Sequence, residues 1–362
     1  MSDILISQAT RHSLFVQRFA GHLANLFDER ITQLNKEIKF LILTNDDFST
    51  QKKIDRLLKQ VKEAQQIIYS AYNAETLYPQ LKELSIGESR FEFDALENAL
   101  LSSSVKLSLP ASAQVWAAVT SSPLIFESSN QVQLLESFIK DMQGVEIKRV
   151  QDSIRTGIIT GRTNSEIVLD IVGRNQIVDR IVRQKTKAMV RTAVNHVSAS
   201  ARILTMMSND DIVKGYRLAV VFDGRTSSTC RAYGQENKVY LLTDRYQPKP
   251  PFHIGCRTTM YAVLIDKYEI DDSKFTKASK GSEGGAQIKG DETPYSWLKK
   301  QSAEFQDDAI GVTKGKLLRN GGLTSDQFAQ LTVDELFRPM TLVQMYERNP
   351  LAFRRANIDP PI

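Results

Sequence analysis

From Ser7 to about Leu43 the apolar residues Leu14, Phe15, Phe19, Leu23, Leu26, Phe27, Ile31, Leu34 and Ile38 fall on one stripe, the 3.6-residue period of an amphipathic helix. The pattern repeats from about Thr50 to Leu84 through Ile54, Leu57, Leu58, Val61, Ala64, Ile67, Ile68 and Ala71. Together the two stretches predict a helical hairpin or part of a bundle. Residues 85–128 are mixed, with Pro110 and Pro123 as punctuation and an alternation in SSVKLSLP that hints at a short strand. Helical periodicity returns from Gln131 to Thr156 and breaks at Gly157 and Gly161. Thr163-Asn-Ser-Glu166 then reads as a capping box, in which hydroxyl and carboxylate each satisfy an orphan backbone N–H at a helix start.

A long helix is predicted from about Gln176 to Met207, after which the period changes. YRLAVVFDGRT reads as a strand from Tyr216 to Phe222 ending at an Asp-Gly turn. KVYLL (238–242) and RTTMYAVLI (257–265) add two more short strands around a loop holding Pro248, Pro250 and Pro251. The stretch Asp271 to Asp291 is rich in Ser, Gly, Lys and Glu, too poor in apolar surface to fold alone, and reads as a linker. Helical pattern resumes at PYSWLKKQSAEFQDDAIG. The fold class is therefore α+β and mainly helical: long N-terminal helices, a central helix, a small β element with a Cys/His-containing loop, and a helical C-terminal tail. The boundaries are 1–145 for an N-terminal docking region, 146–268 for the central unit, 269–291 for a flexible linker and 292–362 for the tail.

Charge adds a location. Residues 145–262 hold 19 Lys and Arg against 10 Asp and Glu, a net of +9, while the whole chain is +5, so the remainder is net −4. The density is greatest on the central helix, where Arg180, Arg183, Lys187 and Arg191 are the candidate contacts to double-stranded DNA, bound without sequence preference. A basic solvated helix face is the alternative. The first residues lack the apolar core of a signal peptide, and nowhere do about 18 apolar residues run together as a membrane span needs. The chain is expected to stay in the cytoplasm that makes it. There, two cysteines are free or metal-bound rather than disulfide-bonded.

Reactive side chains are densest in DGRTSSTC (223–230) and PPFHIGCR (250–257). Cys230, His253 and Cys256 are candidate ligands of a structural zinc ion, His-x-x-Cys from one turn and a cysteine from a separate segment, with Asp223 as a candidate fourth ligand. Two buried cysteines and a histidine packed in a turn fit the same spacing. A hydrolytic reading would use Ser227, Ser228 or Thr229 with His253, but there is no G-x-S-x-G elbow, and neither a P-loop nor G-x-G-x-x-G follows a strand.

Taken in order, IRTGIITGRTNSEIVLDIVG, RTAVNHVSASAR, YRLAVVFDGRTSSTCRAYGQ and PPFHIGCR resemble the phage Mu F-like minor head proteins, or phage head morphogenesis proteins. The resemblance spans about residues 150–345, with YSWLKKQSAEFQDDAIGVTKGKLLRNGGLTSDQF similar to a segment that often follows in that family. It implies that the central unit is a head morphogenesis domain and that Asp223, Arg225, Thr226, Cys230, Gly234, Pro250, Pro251, His253, Cys256 and Arg257 are structural motif residues. It also implies a virion component, not an enzyme, that meets the portal protein and possible capsid or scaffolding partners near the portal vertex, made in the host cytoplasm and assisting DNA packaging, retention or ejection. A nucleic-acid-binding module with structural zinc, and a metal-dependent or nucleophilic hydrolase, are the competing functions.

Overall fold

In the computed structural model, residues 3–45, 50–100, 105–126, 131–172, 176–268 and 276–361 are described. The first predicted helix is α1 (Asp3–Leu43), and its return partner is α2 (Gln51–Tyr72). A π-helical turn at Asn73–Leu77 carries α2 directly into α3 (Tyr78–Ala99), so the helical run continues past Leu84 to Ala99. Residues 105–110, where alternation hinted at a strand, have no regular structure, and Ser103 and Ser104 lie outside the described residues. After α4 (Ser112–Ser121), a small antiparallel ribbon of β1 (Leu124–Phe126) and β2 (Gln131–Gln133) leads into α5 (Leu135–Ile159).

The glycine turn and capping box form as the sequence predicts. Gly161 takes a left-handed φ of +73°, and Thr163 Oγ1 accepts the Glu166 N–H while Glu166 Oε2 accepts the Thr163 N–H at 2.8 Å. This box starts α6 (Asn164–Ile171). Gly157 lets α5 and α6 approach closely, because a Cβ there would sit 2.6 Å from Ile167 Cγ1. The basic helix is α7 (Ile177–Met207).

Beyond α7, β3 (Val213–Ala219), β4 (Phe222–Asp223), α8 (Ser228–Glu236), β5 (Tyr240–Leu241) and β6 (Thr259–Leu264) make the small β element. Its antiparallel sheet has the order β5-β3-β6, with Tyr216 opposite both Tyr240 and Ala262. The predicted linker is corrected in part. Thr276–Gly281 and Gly284–Lys289 are strands β7 and β8 of a hairpin, and β7 pairs in parallel with β4. Low apolar content did not prevent this: β7 pairs with both β8 and β4, and Ile288 of β8 packs against the core of the tail. Residues 269–275 of that linker lie outside the described residues. The tail is a run of short helices, α9 (Pro294–Lys299), α10 (Ala303–Ile310), α11 (Val312–Asn320), α12 (Ser325–Thr332), α13 (Leu342–Arg348) and α14 (Pro350–Arg355), around Tyr295, Trp297, Leu317, Phe328 and Phe353.

The N-terminal helices do not form a separate core. Leu23, Phe27, Ile31 and Leu34 of α1, Leu57 and Val61 of α2 and Val190, Val194 and Val197 of α7 belong to one buried cluster. The beginning of α1 reaches the β element, where Ile6 and Ala9 pack with Tyr261. Polar groups repeat the same joint: Ser198 donates to Glu88 Oε2, Ser89 and Thr205 hydroxyls lie 2.7 Å apart, and Arg202 Nε donates to Glu92 Oε2 at 2.7 Å. All six residues are buried between α3 and α7. Burial, offset in part by Arg202, leaves the Glu92 carboxyl above its usual range.

Of the four basic residues expected to face DNA, Arg183 is withdrawn. It is buried, donates through Nε to Asp179 at 2.9 Å and through Nη1 to the Asp28 carbonyl at 3.0 Å, and so holds α1 against α7. A cation four residues after an aspartate and facing a second one is neutralised in place. Arg180 and Arg191 are exposed, and Lys187 is half-exposed, 3.5 Å from Asp28.

Arg202→Met leaves Glu92 buried without its cation and is expected to lower the unfolding free energy by about 3–5 kcal/mol in urea titrations. Adding Glu92→Leu is expected to recover most of that loss. A single variant as stable as the parent would show that the pair contributes nothing to the joint.

Candidate metal centre

Two local devices bring the reactive side chains together. Ser227 caps α8, its Oγ accepting the Cys230 N–H at 3.1 Å, which fixes Cys230 in the first turn. In the loop before β6, a cis Pro250–Pro251 peptide leads to a tight turn in which the Cys256 N–H donates to the His253 carbonyl at 3.1 Å. Gly255 occupies a left-handed φ of +76° within it, a conformation glycine adopts without steric cost. His253 and Cys256 therefore stand at opposite ends of one turn and meet Cys230 from α8.

The Cys230 and Cys256 sulfurs are 3.7 Å apart, and His253 Nε2 lies 3.2 Å from Cys230 Sγ. Both cysteines are free thiols and buried. His253 Nδ1 is 3.0 Å from the Ile254 carbonyl. That carbonyl can only accept, so Nδ1 carries the proton and the Nε2 lone pair faces the sulfurs, the tautomer a metal ligand requires. A tetrahedral zinc ion with bonds of about 2.3 Å to sulfur and 2.0–2.1 Å to nitrogen spaces its ligands about 3.8 Å (S to S) and 3.6 Å (S to N) apart. The sulfur pair matches this spacing and the nitrogen is slightly closer, so these three side chains can hold a metal ion.

The sulfurs are electrostatically unequal. For Cys256, burial raises the thiol, but its contacts with Cys230 and His253 outweigh it and draw it well down. Cys230 is pushed up, first by its hydrogen bond to Cys256 and then by burial. His253 is raised, because its contact with Cys256 outweighs desolvation.

Asp223 is not brought to the sulfurs as a fourth ligand. Arg257 grips it with two bonds, Nη1 to Oδ2 at 2.6 Å and Nη2 to Oδ1 at 2.8 Å, while the Arg225 N–H and Thr226 Oγ1 donate to Oδ1 at 3.0 and 3.1 Å. Burial alone would raise the Asp223 carboxyl, but these donors outweigh it and hold it below the usual range. This pair ties the β4 turn to the segment entering β6. The other motif residues pack or bend the chain. Gly234 is needed because a Cβ would lie 2.7 Å from Val220 and 2.9 Å from Pro294. Pro250 and Pro251 are buried. The Arg225 side chain, 84% exposed, is the exception.

Two contributors went unnoticed in the sequence, and one that was noticed takes another role. Asn195 Nδ2 donates to the Cys256 and Thr258 carbonyls at 2.9 and 3.2 Å, and Thr192 Oγ1 accepts the Gly255 N–H at 2.8 Å. Both interrupt the apolar face of α7 three residues apart, a detectable signal for polar groups with a buried task. Ser227, named in the hydrolytic reading, lies 2.9 Å from His253 Nε2. It is the nearest approach to a nucleophile and base, yet its oxygen already caps α8, and the other ring nitrogen of His253 meets a carbonyl rather than a carboxylate. The cavity there is about 30 Å³, room for an ion or a water rather than an organic substrate.

Residues 148–261 match the family model described as Phage Mu protein F like protein. The match starts within α5 and ends within β6, taking in all of the Cys/His cluster and the Asp223–Arg257 pair. No curated protein and no solved structure matches the chain. Among the described residues, no helix is long and apolar enough to cross a membrane.

Proposed function

Starting from residues 148–261 as a Phage Mu F-like segment, we propose that this chain is a minor head protein of a phage virion. It assembles with the portal protein in the host cytoplasm, stays near the portal vertex of the head and assists DNA packaging, retention or ejection. The observation that carries this reading is the coincidence of the family match with a site whose motif residues, the Arg225 side chain apart, serve cohesion. A virion part that must survive packaging needs a locked unit more than an open cleft.

Three surfaces or sites have roles in this reading. The N-terminal helices offer Leu14, Phe15, Phe40 and Ile67, each more than half exposed, to the portal or to a capsid or scaffolding partner. Arg180, Lys187 and Arg191 on α7 meet the DNA backbone without reading its sequence. Cys230, His253 and Cys256 hold one zinc ion, which would fasten α8 to the loop before β6. As a hydrolase site the cluster has less support, because its histidine lacks an orienting carboxylate and its cavity holds only a water-sized guest.

The chain co-expressed with the portal protein encoded beside it is expected to co-purify, and Leu14→Glu with Phe15→Glu is expected to abolish this while circular dichroism stays unchanged. Failure of the parent to associate with portal, capsid or scaffolding protein would overturn the assembly role. The triple variant Arg180→Ala, Lys187→Ala, Arg191→Ala is expected to weaken duplex binding and to flatten its salt dependence; an unchanged salt slope would remove DNA contact from α7. Protein prepared without a histidine tag is expected to contain about one zinc per chain by elemental analysis, lost in Cys256→Ser. Metal-free protein that is equally resistant to urea with and without added zinc would leave a packed turn instead.

A further inference from the structure

The turn that caps α8 has a second, larger neighbour. A cavity of about 340 Å³ shares Arg225, Thr226 and Ser227 with the small one at the cysteines and extends to Arg231, Lys314 and Tyr295. Three cationic side chains from three parts of the chain line it: Arg225 from the β4 turn, Arg231 from α8 and Lys314 from α11. No carboxylate lines it among the described residues.

Arg231 is 3% exposed, yet among the described residues its guanidinium hydrogen-bonds only to backbone carbonyls, those of Asp223 and Gly224 at 3.3 Å and of Ala309 at 3.4 Å. Asp223, whose charge reaches Arg231, is gripped by Arg257 and lies 3.9 Å from Arg225. A buried guanidinium ordinarily has an anionic partner, because desolvating an unpaired charge costs several kcal/mol. Lys314 is half-buried and has no hydrogen-bond or ion-pair partner among the described residues, and burial pushes its amine down. α8 itself begins at the cavity. Ser227 caps the Cys230 N–H, while the Ser228 and Thr229 N–H groups have no acceptor within the helix, and the helix dipole adds partial positive charge there.

We propose that this cavity is a phosphate-binding site. Arg231 and the first turn of α8 form its floor, and Arg225 and Lys314 close over the phosphate oxygens from opposite sides. Inorganic phosphate and a phosphodiester of a nucleic acid backbone present the same oxygens to these donors. Its donors include neither the three candidate metal ligands nor the basic face of α7, although it borders the small cavity at the cysteines.

The test uses the full chain in the Arg180→Ala, Lys187→Ala, Arg191→Ala background, so that α7 does not contribute. Titration calorimetry with inorganic phosphate, and separately with a short DNA duplex, is carried out at matched ionic strength. Saturable binding of one phosphate per chain is expected, weakened about tenfold or more by Lys314→Ala and again by Arg225→Ala, each removing a charge-assisted contact. Lys314→Arg is expected to keep it. If the duplex displaces phosphate, or binds alone with the same dependence on Lys314 and Arg225, the bound group is a backbone phosphate; if the duplex does not compete, it is free phosphate. Affinity for both probes unchanged in Lys314→Ala and Arg225→Ala, or saturable binding of neither, overturns the proposal, and neither outcome bears on portal assembly.

Discussion

The pairing of Arg202 with Glu92, both buried, is the constraint on which the molecule turns. An isolated charge between α3 and α7 would be prohibitively costly, so the helices must meet in the register that unites the two. The same register aligns Ser89 with Thr205 and Glu88 with Ser198. Arg202 extends the joint through Nη1 to Thr259 at the start of β6. One guanidinium thus links the N-terminal helices, the basic helix and the sheet. The apolar cluster of α1, α2 and α7 supplies most of the attraction, which is non-directional, whereas the buried polar pairs select one of the ways those helices can pack.

A second pair does for the β element what the first does for the helices. Asp223 and Arg257 lie 34 residues apart, at the ends of the two segments that carry the cysteines. Their two-pronged contact sets the distance between α8 and the turn of His253 and Cys256. Asn195 and Thr192 then pin that turn to α7. The Cys/His cluster is accordingly held from three sides before any ion is considered, and α7 is the element common to both joints.

Features decided within a few residues were legible in the sequence. The Thr163–Glu166 box, the glycine turn before it, the long period of α1 and the strand around Tyr216 all depend on neighbours in the chain. So did the meeting of His253 with Cys256, since both belong to one turn. Features decided by distant partners were not. Arg183 carries the same charge as Arg180, and only the arrival of Asp28 from α1 separates a buried anchor from an exposed cation. Asp223 has a ligand's chemistry, but Arg257 reaches it first. The hairpin of β7 and β8 was hidden because its composition resembles a spacer and the edge it pairs with, β4, is only two residues long.

The partnership of α1 with α7 has a consequence for biosynthesis. Phe27 and Ile31 emerge from the ribosome well before Val190 and Val194, against which their cluster closes. Until α7 is translated, an apolar stripe some ten turns of helix long has only part of its cover, from α2, α3 and α6. At about 5–20 residues per second the interval is on the order of ten seconds or more, far longer than a helix needs to form. The nascent chain therefore passes through a stage in which a preformed, sticky helix waits for its mate, and that stage is an opening for chaperones or for premature capture by another chain.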